Sequence, residues 1–282
     1  MLTMTTFQRL WKSSAPLTAT GVLMLGVFVA SVGAMAVDHT TILGLPTWLK
    51  PAKFAISSVI YAVTLAWVFT FLPERKRLTA IVGWITAVVL VLEVWIVDVQ
   101  AARGTTSHYN VGTPLDAALF SSMGTAIIVL FGSAIALTVA LFRQRFTDGA
   151  FGWALRLGML LTVIGQATGG FMTTPSRAQL EAQRATGVKV AGAHTVGAPD
   201  GGPGLPITGW SREHGDLRVP HFVGLHAMQL LPLTAWLLGS LVPAGWRRGA
   251  VLVTAAGYYA LFAILLVQAL GGHPLVPMMV SR

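Results

Sequence analysis

With 282 residues, 54% of them hydrophobic and only 10% charged, and a mean hydropathy of +0.70, this chain falls outside the composition of a soluble globular domain, which carries about a quarter charged residues. Its formal net charge of +9 reads as basic loops set against anionic lipid, since no clustered basic and aromatic face speaks for nucleic acid. The absence of cysteine excludes disulfides, iron–sulfur clusters, thiolate zinc sites and c-type haem attachment.

The first apolar run, Ala15–Val37, follows Arg9 and Lys12. At roughly 1.5 Å per residue it is long enough to cross ~30 Å of hydrocarbon. It closes on Ala34-Met35-Ala36, a pattern that a signal peptidase also accepts. Cleavage there would remove residues 1–36 and leave six spans, but the run exceeds a usual signal core and reads as a retained helix. Further spans are predicted over Ala52–Leu72, Thr79–Ala101, Leu115–Phe142, Ala150–Met172, Val219–Leu241 and Gly249–Leu270. The expected fold is an all-α, polytopic membrane helix bundle of seven transmembrane helices, forming one integral membrane domain over residues 1–282.

The joining segments alternate. Arg9 and Lys12, Arg75 to Arg77, Arg143 and Arg145, and Arg247 and Arg248 make short basic segments, while the others are longer and richer in Gly and Pro. The positive-inside rule then gives an N-in, C-out topology. Trp11, Trp153 and Trp246 fit an inner aromatic belt, and Trp48 and Trp210 an outer one. Richness in Ala, Gly, Val and Leu with few lysines points to a bacterial cytoplasmic (inner) membrane. The longest loop, residues 173–218 between the fifth and sixth helices, lies outside the membrane on this topology. Thr174-Pro175 offers an N-cap and a proline at N1 for a short helix over Ser176–Arg184, and Gly192 to Trp210 reads as irregular coil.

All seven histidines, His39, His108, His194, His214, His221, His226 and His273, fall on the outer side of this topology. Imidazole titrates near neutral pH and is the commonest metal ligand. Glu93 and His226 each lie about 10 Å below the outer boundary, with Gln166 at a similar level and Gln229 about one turn deeper. An ionisable group at that depth costs several kcal/mol unless paired or hydrated. Glu93 and His226 are therefore the candidate catalytic pair, expected to share one outward-facing pocket, while the glutamines also suit plain interhelical hydrogen bonding. Pro232 frees the carbonyl of Met228 and predicts a kink.

His221 and His226, five apart, are separated by about 140° on one helix, so each needs a partner from elsewhere. His108, His39 and His273 are the candidates, whereas His194 and His214 read as solvated loop residues. Arg103 is expected to pair with Asp98. Arg218 is expected to pair with Asp216 or to meet a haem propionate, phosphate or carboxylate. Met278-Met279 are soft donors that suit copper.

No P-loop, dinucleotide-binding glycine pattern, H-E-x-x-H or G-x-S-x-G occurs. The first reading is a haem-binding or redox membrane protein, with haem b or a transition-metal ion held by His226 with His108 or His221, or with His39 or His273. Arg103, Arg218, Gln229 and Gln166 would line that site. The alternatives are a metal-dependent membrane enzyme, a proton-coupled transporter, and a non-catalytic subunit or sensor. The bilayer is the expected partner, together with a small anionic ligand or quinone.

Overall fold

The computed structural model describes residues 4–277 apart from 176 and 188, so Met278 and Met279 lie outside the described residues. The chain is all-helical. Six helices are each long and apolar enough to cross a membrane, and a further pair, bent by 46° between its halves, passes the same test when taken together. The chain divides into two compact units, Met1–Ala140 and Leu141–Arg282.

The first unit opens with α1 (Thr6–Ser13), a short helix ahead of the first apolar run. Its capping box is complete: Gln8 N–H donates to Thr5 Oγ1, and Thr5 N–H donates to Gln8 Oε1. The Ser13 hydroxyl then donates to the carbonyl of Ala66 at 2.6 Å, pinning the turn that follows. Next come α2 (Ala15–Val37), a hairpin of β1 (Thr41–Ile42) and β2 (Leu45–Pro46), α3 (Leu49–Phe69), α4 (Lys76–Ala102) and α5 (Pro114–Arg143). The hairpin turns through Leu43 and Gly44, both at positive φ, the geometry of the tight turn whose twist matches paired strands.

Small residues let these helices approach. A Cβ on Gly21 would come within 3.2 Å of Val63, and one on Gly83 within 2.8 Å of the Ser14 hydroxyl. The core runs through Met24, Ala55 and Val94, and through Ile96, Val97 and Met123. Large apolar side chains such as Val29, Trp84 and Ile128 are exposed instead, the inverse of a water-soluble helix and the arrangement that acyl chains satisfy.

The second unit contains α6 (Gly149–Met172), α7 (Arg177–Thr186), β3 (Thr195–Val196), β4 (Gly215–Asp216), α8 (Arg218–Leu225), α9 (Ala227–Leu241) and α10 (Ala244–Leu270). Here α6 meets the bent pair α8–α9 through a small-residue face. A Cβ on Gly165 would lie 2.6 Å from the Gly224 Cα, and one on Gly158 would lie 2.8 Å from the Ala227 carbonyl oxygen. The bend falls at His226, about one and a half turns before Pro232, which sits inside α9.

The carbonyls released by the bend find side-chain partners. Tyr258 Oη donates to Val223 O at 2.8 Å, and the Thr162 hydroxyl lies 3.4 Å from Gly224 O and 3.3 Å from Leu225 O. Thr162 Oγ1 also accepts the Met228 N–H at 3.2 Å. Such compensation is what makes a broken helix tolerable in hydrocarbon.

Candidate functional site

The polar residues of the first unit converge on Glu93. It lies on α4, buried, with neighbours Val94, Ile96 and Val97 buried as well. Its Oε1 is 3.7 Å from His108 Nε2, on the segment between α4 and α5. Its Oε2 is buried and has no hydrogen-bond partner among the described residues. A polar atom left so in an apolar setting marks a place where a proton, water or ligand binds.

His108 is held on its other side. Lys50 Nζ, in the first turn of α3, lies 3.3 Å from Nδ1, and the Ser107 hydroxyl lies 3.1 Å from the same nitrogen. An ammonium can only donate, so Nδ1 is the acceptor and Nε2 carries the hydrogen that faces Glu93. Phe54 packs its ring edge-on to the imidazole at 5.3 Å, and Tyr109, buried and at a positive φ of 61°, packs on another side at 5.9 Å. The result is an ordered series, Lys50 to His108 to Glu93, leading from a helix terminus into a span. Its last gap exceeds hydrogen-bond length, but a small side-chain rotation or one bridging water would close it.

Beside this series stands a second polar knot. Asp116 accepts from Gln100 Nε2 at 2.9 Å, Arg103 Nη1 at 2.7 Å and the Thr113 hydroxyl at 2.6 Å. Arg103 therefore pairs with Asp116 rather than with Asp98, because α5 brings the Asp116 carboxylate to the end of α4. His39 is exposed after α2. Its neighbour Asp38 accepts from Thr40 and from Trp48 Nε1, and those hydrogen bonds, Thr40's first, hold its carboxyl below the ordinary range.

In the second unit His226 sits at the bend itself, ending α8 and preceding α9. Its ring lies 4.2 Å from that of Phe222, which in turn lies 5.7 Å from Trp210, and Gln229 hydrogen-bonds the imidazole. His221 is turned toward α6, its Nδ1 2.8 Å from Gly165 O and 3.1 Å from Thr168 Oγ1. Gln166 also lies on α6, and His273 is exposed after α10. Glu93 belongs to the first unit and His226 to the second, and each has the surroundings just described. Among the described residues, no group of three or more His, Asp or Glu is placed to hold a metal ion.

The long loop is organised rather than irregular. Asp200 accepts from the backbone N–H groups of His194 and Thr195, from the Thr195 hydroxyl and from His194 Nδ1 at 2.6 Å. His194, which the sequence assigns to solvent, is thus an ion-pair partner. Burial raises the Asp200 carboxyl, but the hydrogen bonds and charge of His194 outweigh it and leave the group well below the ordinary range. The strand pair β3–β4 and the hydrogen bond from Leu217 N–H to His194 O tie this turn to the start of α8. Asp216 is buried and takes the Arg218 guanidinium on both oxygens, as the sequence suggests.

Lys50 is the residue that sequence reasoning missed. It stands 58 positions from His108, and only the packing of α3 brings the two together. No family model matches the chain, and neither the curated proteins nor the solved structures give a match.

Proposed function

We propose that this chain is a proton-coupled membrane transporter of a small polar solute, with Glu93 as the group that takes up and releases the proton. His108 and Lys50 form the relay that connects Glu93 to water. On this reading the bent pair counts as a seventh span, the N-terminus is inside, and the relay opens on the outer face of a bacterial cytoplasmic membrane. The observation that carries the reading is the ordered contact series from Lys50 through His108 to a buried carboxylate with one unpartnered oxygen. The bend at His226 supports it, because carriers use interrupted helices to present polar groups within a span.

The haem and metal readings need imidazole nitrogens turned toward a shared ligand. His108 has Nδ1 engaged by Lys50 and Ser107 and Nε2 facing Glu93, which suits proton handling better than ligation. The test is proton movement into liposomes carrying the purified chain and a trapped pH-sensitive dye. Flux is measured with and without a mixture of amino acids, carboxylates and sugars. Wild-type vesicles should acidify faster than empty ones, and Glu93→Gln should remove the difference. Equal rates for wild-type and Glu93→Gln would overturn the proposal, and a haem absorption band lost in His226→Ala would return the weight to the haem reading.

A further inference from the structure

One end of the second unit gathers arginines without acidic partners. The end of α5, the segment joining it to α6, the first turns of α6 and the first turns of α10 contribute Arg143, Arg145, Arg156, Arg247 and Arg248. None of the five belongs to an ion pair among the described residues. The one carboxylate in these segments, Asp148, caps α6 by accepting the Phe151 N–H at 3.0 Å.

Aromatic rings and carbonyls hold the guanidinium groups in place instead. Arg156 and Arg248 lie 5.3 Å and 5.7 Å from the Trp153 ring, and Arg156 lies 5.1 Å from Phe146. Phe146 itself fills the space over Gly152, where a Cβ would come within 2.7 Å of its ring. Arg156 donates from Nε to Leu141 O at 3.1 Å and from Nη2 to Gln144 O at 2.6 Å, and Arg247 Nε donates to Val242 O at 2.9 Å. These bonds fix the direction of the cations but leave their charge uncompensated, with two of them facing a single indole. An anion with several oxygens answers such a cluster.

We propose that this end of the second unit binds the phosphate headgroup of an anionic phospholipid. A lipid rather than a soluble phosphate is indicated by position. The cluster lies where α6 and α10 begin as candidate spans, and the strongly exposed Trp246 and Leu241 flank it, at 76% and 77%. The acyl chains of the same molecule would cover such side chains. The site is independent of the proton relay, which lies in the other unit.

The test is lipid retention by the delipidated full chain, read by native mass spectrometry against added diphosphatidylglycerol, phosphatidylglycerol or phosphatidylcholine. The two anionic lipids should be retained in preference to phosphatidylcholine. Arg248→Gln should weaken retention about fivefold, and the double change with Arg247→Gln about 25-fold, at roughly one such factor for each basic side chain near the surface. Arg248→Lys, which keeps the charge but gives up the planar fork and its packing on Trp153, should fall between wild type and Arg248→Gln. Equal retention of phosphatidylcholine, a double variant that binds like wild type, or an Arg248→Lys loss as large as that of Arg248→Gln would overturn the proposal. Displacement of the lipid by an equal concentration of inorganic phosphate would overturn it too, and would assign the cluster to a soluble anion.

Discussion

Replacing Thr162 by Val tests whether the bend at His226 depends on its neighbours. The substitution keeps the side chain's shape, so packing against Gly158 and Gly224 survives, but it deletes the hydroxyl. Thr162 has no exposed surface, so water cannot replace the lost partner. The Met228 N–H loses its acceptor, and the carbonyls of Gly158, Gly224 and Leu225 lose the one donor they share. A stranded buried group costs about 1–3 kcal/mol, whereas hydrogen bonds between membrane helices average ~0.6 kcal/mol. Since one hydroxyl serves both directions here, the expected loss is about 1–3 kcal/mol, or roughly five- to 150-fold in the unfolding equilibrium. Thr162→Ser keeps the hydroxyl and should lose only about 1 kcal/mol for the missing methyl. Equilibrium unfolding in mixed micelles, with detergent composition as the denaturant, measures both. Thr162→Val as stable as wild type, or less damaging than Thr162→Ser, would refute the reasoning.

Gly165→Ala should destabilise the second unit by about 1–3 kcal/mol, because its Cβ meets the backbone of Gly224 at 2.6 Å, with no flexible side chain to yield; the same unfolding assay reads it. Asp200→Asn should loosen the turn at residues 194–200, seen as faster amide exchange of His194 and Thr195 by about five- to 150-fold, for a loss of about 1–3 kcal/mol. The native Asp200 carboxyl lies below its unfolded value, so its contribution is complete above about pH 4 and is lost as pH falls through the lower native value. Protection of these amides, relative to their intrinsic exchange rates at each pH, should therefore fall on acidification in wild type and stay flat in Asp200→Asn. Gly215→Ala should detach this loop from α10, since a Cβ there would lie 2.0 Å from the Ala269 carbonyl oxygen; limited proteolysis between Gly197 and Gly209 would report it as faster cleavage.

The spans were legible because hydropathy over about twenty residues is a local property, and the runs beginning at Ala15, Ala52, Thr79, Leu115 and Ala150 each became a continuous helix. Short amphipathic α1 escaped because Phe7 and Trp11 are too few to lift a long window, although Thr5 and Gln8 carry a legible capping box. Pro232 correctly marked the sixth run as interrupted, but not where. The bend settled at His226 because Gly158 and Gly165 on α6 press there and because Thr162 and Tyr258 supply the missing partners, which is information held by other helices. Glu93 was nominated from residue type and depth, and His108 from residue type on the outer side. Their approach to each other, with Lys50 on the far side of His108, was invisible, since it depends on how α3 and α4 pack and on which imidazole nitrogen faces which neighbour. Asp200 was missed for a related reason. Its donors, His194 and Thr195, sit six and five residues upstream, and a glycine-rich segment offers no periodicity to announce a closed turn.

The central claim is that Glu93 exchanges a proton with water by way of His108. Infrared difference spectroscopy of the full chain in lipid, stepped between about pH 5 and about pH 9, reads this directly. A carboxyl stretching band should appear on acidification, be absent in Glu93→Gln, and respond much more slowly in His108→Phe while keeping its amplitude. A carboxyl signal unchanged by Glu93→Gln, or one whose rate ignores His108, would contradict the account.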